Sequence, residues 1–154
     1  MKLSKTLYDF MLVFKDLLDE HKFDEFFTRA YQTFTITPYV TLCKFIYDKY
    51  PQCLYYMKSI PWRFFQGRKF ERFVIPDNIQ IIEIQAFLNT SIKELVIPKK
   101  LEEIQKGAFR DSDIDKIIFK GTLKEWNARW ATIQWYSYGN DAIDRSNNVI
   151  CTEE

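Results

Sequence analysis

Acid–base chemistry in this chain would have to start from His21, its only histidine, which stands among Asp19, Glu20 and Lys22. An imidazole changes charge near neutral pH, and beside a serine or cysteine nucleophile it would make an acyl-transfer centre. No recognisable motif places such a nucleophile near it, so a solvated histidine at a helix–helix junction is expected. The carboxylates Glu102-Glu103 and Asp111, Asp113 and Asp115 would suit a hard cation. Their spacing does not match a calcium loop, which needs a glycine at its sixth position and a distal glutamate, so a solvated turn is expected. Gly121-Thr122 lacks the lysine and glycine frame of a phosphate-binding loop. Cys43, Cys53 and Cys151 are odd in number and show no C-x-x-C spacing, which suggests buried free thiols in place of a disulfide framework or a zinc site. No enzymatic activity, metal or cofactor is expected.

What must position any working residue is a repeat. Phe73, Leu95 and Ile117 are each 22 residues apart. The same step carries Ile75 to Ile97 to Phe119, Pro76 to Pro98, Ile79 to Leu101, Ile82 to Ile104, Ala86 to Ala108, and Phe87 to Phe109. Each unit opens with the spacing L-x-x-L-x-L, as in Phe70, Phe73 and Ile75, the signature of one strand plus a short return segment per repeat. Side chains alternate along a strand, so Phe73 and Ile75 point inward and Arg72 and Val74 outward. Met57, Ile60 and Phe65 lie one period before Ile79, Ile82 and Phe87, so a degenerate earlier repeat is hidden in YMKSIPWRFFQGRKFER. Ordering 22 residues costs more than about 1 kcal/mol apiece, which a single unit's apolar side chains do not repay, so stacking is required.

The string I-P-x-x-[IL]-x-x-I-x-x-x-A-F, followed by a short polar turn and the next strand, resembles the BspA-like leucine-rich repeat. Gly107-Ala108-Phe109 matches the usual G-A-F of that family, whereas the preceding unit has Gln85 at the glycine position. Phe119 to Trp126 looks like the F-x-G-T-x-x-E-W segment that often closes such arrays, and Val149-Ile150-Cys151 is similar to a short final strand seen there. The resemblance covers residues 57–151. It implies a short leucine-rich-repeat solenoid over 57–151 with an aromatic C-terminal cap; with the helices read over 1–56 as an N-terminal helical cap, the expected fold class is α+β. The resemblance also implies a non-enzymatic protein-interaction module.

On such a framework two sets of residues face outward as candidate sites. Val74, Val96 and Ile118, one period apart, are expected to form an exposed β-branched stripe bordered by Arg72, Glu94 and Lys116. An apolar centre with a polar rim is the make-up of a protein interface, and this is the expected protein-binding site. The alternative is the stretch with Trp62, Arg63, Arg68, Lys69 and Arg72, where basic groups interleave with aromatics as on a single-stranded nucleic-acid platform. The repeat assigns the rings of Phe65 and Phe70 inward, which weighs against stacking on bases. The near balance of 22 basic and 21 acidic residues, net charge +1, also weighs against nucleic acid and acidic membranes as partners.

The first third of the chain reads as helices. Leu7, Phe10, Met11 and Phe14 recur at three- and four-residue steps behind a capping Ser4. Phe23, Phe26, Phe27 and Ala30 mark a second helix, and Thr37-Pro38 would open a third as cap and first residue. These phenylalanine faces must be buried, and the end of the repeat array is the expected surface. Tyr8, Asp9, Lys15 and Asp16 interrupt the first apolar run, so no signal peptide is read there, and no run approaches a membrane span. A cytoplasmic protein is expected. Short, leaderless chains of this layout resemble proteins of large bacteriophage genomes, which implies a phage protein that binds and inhibits or redirects a host factor, such as a defence enzyme.

Overall fold

The computed structural model describes residues 5–20, 23–132, 135–146 and 148–154. His21 and the expected helix cap Ser4 lie outside the described residues. The architecture is α+β, and the chain divides into two compact units, Met1–Met57 and Lys58–Glu154.

The first unit is helical: α1 (Lys5–Glu20), α2 (Phe23–Thr33), α3 (Ile36–Lys49) and a 3₁₀ helix over Pro51–Tyr56. Phenylalanines at helical spacing meet one another here. Phe14 is fully buried among Phe23, Phe26 and Phe27, with ring centroids 5.6, 5.0 and 6.1 Å away. Phe10 lies 4.7 Å from Phe34. α3 begins earlier than Thr37-Pro38 suggests. Thr35 is its N-cap, and Tyr39 N–H donates to the Thr35 carbonyl at 3.1 Å. Pro38 thus sits in the first turn, where a missing N–H forfeits no intrahelical bond. α3 stops at Lys49 with Tyr50 as its C-cap, and Pro51 opens the 3₁₀ helix. Cys43 and Cys53 are free and buried; burial pushes the Cys53 thiol up to about 12 and raises the Cys43 thiol as well. The third thiol, Cys151, is half-exposed.

In the second unit each 22-residue step contributes a strand to each of two parallel sheets. One has the order β1 (Ser59–Ile60), β3 (Ile81–Ile82), β5 (Glu103–Ile104). The other has the order β2 (Lys69–Val74), β4 (Ser91–Pro98), β6 (Asp113–Lys120), β7 (Val149–Cys151). The register follows the sequence period, with Phe73 opposite Leu95 and Leu95 opposite Ile117. Between the sheets run the inward residues Ile60, Ile82 and Ile104, and Phe73, Leu95 and Ile117, all buried. The earlier repeat is real, since β1 and β2 take their places in the two sheets ahead of β3 and β4.

Two left-handed positions recur in every repeat. Arg63, Gln85 and Gly107 have φ of 55, 57 and 62°, and Gly67, Asn89 and Asp111 have φ of 72, 54 and 57°. Gln85 therefore keeps the turn that Gly107 makes without strain. Its side chain helps to hold it there, accepting from Arg63 Nε at 3.1 Å and from Trp62 Nε1 at 3.3 Å.

After β6 come α4 (Leu123–Trp130) and α5 (Asp141–Asp144). α4 opens on a reciprocal cap in which Glu125 N–H donates to Thr122 Oγ1 at 3.1 Å and Thr122 N–H donates to Glu125 Oε2 at 2.7 Å. Trp135 then extends the first sheet by a bridge to Ile104, and its indole Nε1–H donates to the Leu101 carbonyl at 3.2 Å. Its ring packs among Trp126, Trp130 and Phe119 with centroids 5.7, 5.3 and 6.1 Å away. Asn140, wholly buried, completes the third repeat. In the earlier repeats Phe65 and Phe87 N–H donate to the carbonyls of Ala86 and Ala108. Phe109 N–H donates instead to Asn140 Oδ1 at 2.8 Å, while Asn140 Nδ2 donates to the carbonyls of Gln105 and Tyr136. One amide side chain stands in for the backbone that a further repeat would supply.

Candidate functional site

The outward row Val74, Val96, Ile118 lies in register across β2, β4 and β6, and β7 adds Ile150 opposite Ile118. Exposure along the row is uneven. Val74 and Ile150, on the two edge strands, are 42% and 46% exposed, Ile118 is half-buried, and Val96 is 1% exposed. The expectation of a uniformly exposed ladder is therefore corrected at Val96. Its strand is central, and parallel neighbours about 4.8 Å away on both sides bring Val74 and Ile118 against it. Val96 belongs to the floor of the stripe.

The charged border is equally ordered. Arg72 Nε lies 2.9 Å from Glu94 Oε1, and Lys116 Nζ lies 3.9 Å from Glu94 Oε2, so the glutamate is shared between two cations on neighbouring strands. Beside this row Lys93 pairs with Glu71 at 3.2 Å. Such exposed pairs are each worth well under about 1 kcal/mol of stability, and they fix orientation more than energy. Near the strand starts, Lys69, Lys93, Asp113 and Asp115 help to line a shallow cleft of about 320 Å³.

The stretch weighed for nucleic acid is arranged differently. Phe64 and Phe65 are buried, and the Phe65 ring continues a stack with Phe87 and Phe109 at centroid steps of 5.1 and 4.6 Å. Arg63 lies 5.1 Å from the Trp62 ring and is held by Gln85 and by Gln66, the latter at 2.8 Å. Arg68 lies 5.7 Å from the ring of Phe70. Lys69 is exposed at the start of β2, and Arg72 belongs to the border described above.

Among the described residues, no group of His, Cys, Asp and Glu is arranged to hold a metal ion, and no helix is long and apolar enough to cross a membrane. Asp111 is exposed at a left-handed turn, Asp113 and Asp115 are exposed on β6, and Glu102 is exposed.

Sequence reasoning missed Ile150 as the fourth member of the stripe. The signal was the Val-Ile-Cys strand, but 32 residues separate Ile118 from Ile150 where every other step is 22, so the period did not reach it. The period does not reach Asn140 either, and it places Trp135 only within the aromatic C-terminal cap, not in the first sheet.

No curated protein and no solved structure matches the chain. A family model does: residues 58–130 match the BspA type leucine-rich repeat region, in six copies, and this part of the chain belongs to that repeat family.

Proposed function

We propose that this chain is a non-enzymatic protein-binding module, a short solenoid preceded in the chain by a helical unit and closed by the aromatic C-terminal segment. The partner docks on the outward face of the larger sheet. The observation that carries the reading is the stripe Val74, Ile118 and Ile150 over a floor of Val96, bordered by Arg72, Glu94 and Lys116. It joins apolar area to fixed charge on a rigid surface, and leucine-rich repeats generally serve protein interaction. Fold alone does not assign a partner. The resemblance to bacteriophage proteins carries the finer reading, in which the chain acts in the host cytoplasm and inhibits or redirects a host protein such as a defence enzyme.

The test is capture from nuclease-treated bacterial lysate with wild type, Val74→Asp and Leu123→Asp in parallel, read by mass spectrometry. Val74 is 42% exposed on the stripe and Leu123 is 61% exposed on α4. A protein retained by wild type and Leu123→Asp but lost with Val74→Asp supports the strand face. Equal retention by all three moves the interface elsewhere. Retention that is seen in a parallel untreated lysate and disappears on nuclease treatment favours nucleic acid and the Trp62 to Arg72 stretch.

A further inference from the structure

The outer edge of β7 offers backbone groups that no described segment takes. Ile117 N–H donates to the Asn148 carbonyl at 2.9 Å, and Thr152 N–H donates to the Phe119 carbonyl at 3.0 Å. With Val149 opposite Ile117 and Cys151 opposite Phe119, the parallel ladder turns the groups of Asn148, Ile150 and Thr152 toward β6. The N–H and C=O of Val149 and Cys151 therefore point away from the sheet, and no backbone hydrogen bond joins them to another described segment. β7 is the last strand of its sheet. The edge reads Asn148-Val149-Ile150-Cys151-Thr152, with none of the lysine or proline that usually blunts an exposed edge.

We propose that two copies of this chain pair antiparallel along β7 about a two-fold axis at Ile150. In that register Val149 of one copy faces Cys151 of the other, and each such couple exchanges both of its outward N–H and C=O groups. Ile150 faces its own counterpart in the closely spaced position between them, where Cα atoms lie about 4.5 Å apart. The two 46%-exposed side chains then cover each other on the outward face. Charge favours the same arrangement. The antiparallel sense carries Glu153 and Glu154 of the two copies to opposite ends of the joint, whereas a parallel sense would set them side by side. The strand is three residues long, so the association is weak and populated only at high protein concentration. The pairing joins two sheets of four strands edge to edge and makes the outward row continuous across both copies. This inference does not rest on the partner-binding reading, because it uses the strand edge and needs no second protein.

The test uses the full chain. Light scattering over a concentration series to about 1 mM should show wild type moving reversibly toward twice the monomer mass. Val149→Pro removes an outward N–H that has no backbone partner among the described residues, so the variant should keep the wild-type melting temperature and stay monomeric. In a Cys151→Ser background, Ile150→Cys should cross-link as a disulfide dimer on mild oxidation roughly tenfold faster than Leu123→Cys, since pairing raises the local thiol concentration. A wild type that stays monomeric throughout overturns the proposal. So does a dimer that survives Val149→Pro, or an Ile150→Cys variant that cross-links no faster than the Leu123→Cys control.

Discussion

The ring of Phe87 lies flat on that of Phe109, with centroids 4.6 Å apart and planes 5° from parallel, and the two residues are one repeat apart in sequence. Phe65 extends the stack at 5.1 Å. Each repeat thus places the same ring on the same spot, and the pile runs through the core of the second unit. Phe87, the middle ring, is wholly buried. Phe87→Ala should cost about 3–5 kcal/mol, because transfer energy is lost and a cavity is left between two repeats. Phe87→Leu should cost less, since it keeps most of the apolar volume and loses the ring stacking. Urea denaturation of the two variants would measure the difference.

Asn140 gives a sharper test because its two side-chain atoms do different work. Asn140→Ala leaves the buried Phe109 N–H without its acceptor, takes from the Tyr136 carbonyl the donor Nδ2, and reduces the Gln105 carbonyl to the Ala108 N–H alone, and should cost about 2–4 kcal/mol. Asn140→Asp keeps the acceptor for Phe109 N–H but sets an oxygen against both carbonyls. At neutral pH it should be at least as destabilised as the alanine variant, and it should regain stability in acid as the carboxyl takes up a proton. Melting temperatures of both variants at pH 7 and in mild acid would separate the two effects. If the two variants lost equally at every pH, the donor role of Nδ2 would be wrong.

Much of this framework is legible in the sequence because the repeat makes one physical demand again and again. Phe73, Leu95 and Ile117 must share a face, and they do, one on each of three neighbouring strands. Val96 shows where the reading stops. Alternation sets it in one row with Val74 and Ile118, as the register does, but the sequence does not say that its strand is central, and Val96 is 1% exposed there. Asn140 was illegible for another reason. It imitates a backbone carbonyl with a side chain, and such mimicry leaves no periodic trace. The early start of α3 at Ile36 shows that the residue after a capping threonine need not be the proline.

Asp111 tests the turn chemistry. It has φ 57° at the position where the first repeat has Gly67, and it is exposed. A side chain in that region carries a steric cost that glycine avoids, so Asp111→Gly should be stabilising by a few tenths to about 1 kcal/mol. Asp111→Val should be clearly destabilising, because a β-branched residue is the poorest fit to positive φ. Thermal melts of the two variants should move in opposite directions.

The cap of α4 predicts a pH dependence. The Thr122 backbone N–H bonded to Glu125 holds that carboxyl below its ordinary value of 4.5. The folded chain therefore binds this proton less readily than the unfolded chain does. The resulting stability is present above pH 4.5 and is lost as pH falls through the lowered folded value. Glu125→Gln removes that titration, so the gap in melting temperature between wild type and variant should be largest near neutrality and shrink in acid. A gap that stayed constant with pH would mean that the charge of Glu125 contributes nothing to the cap.

Val96 and Val74 occupy the same register position on adjacent strands, and their 1% and 42% exposures separate a test of folding from a test of recognition. Val96→Asp places a carboxylate in a buried position with no cation opposite it in the register, since its neighbours there are Val74 and Ile118. The cost should be on the order of 4 kcal/mol, enough to unfold a marginal domain. Lost partner binding in that variant would then report on the fold. Val74→Asp keeps its charge in water at the sheet edge and should shift stability by no more than about 0.5 kcal/mol. Denaturation curves should accordingly be run on both before any binding assay. A well-folded Val96→Asp would mean that Val96 is reachable by solvent after all, and it would return this residue to the contact surface alongside Val74 and Ile118.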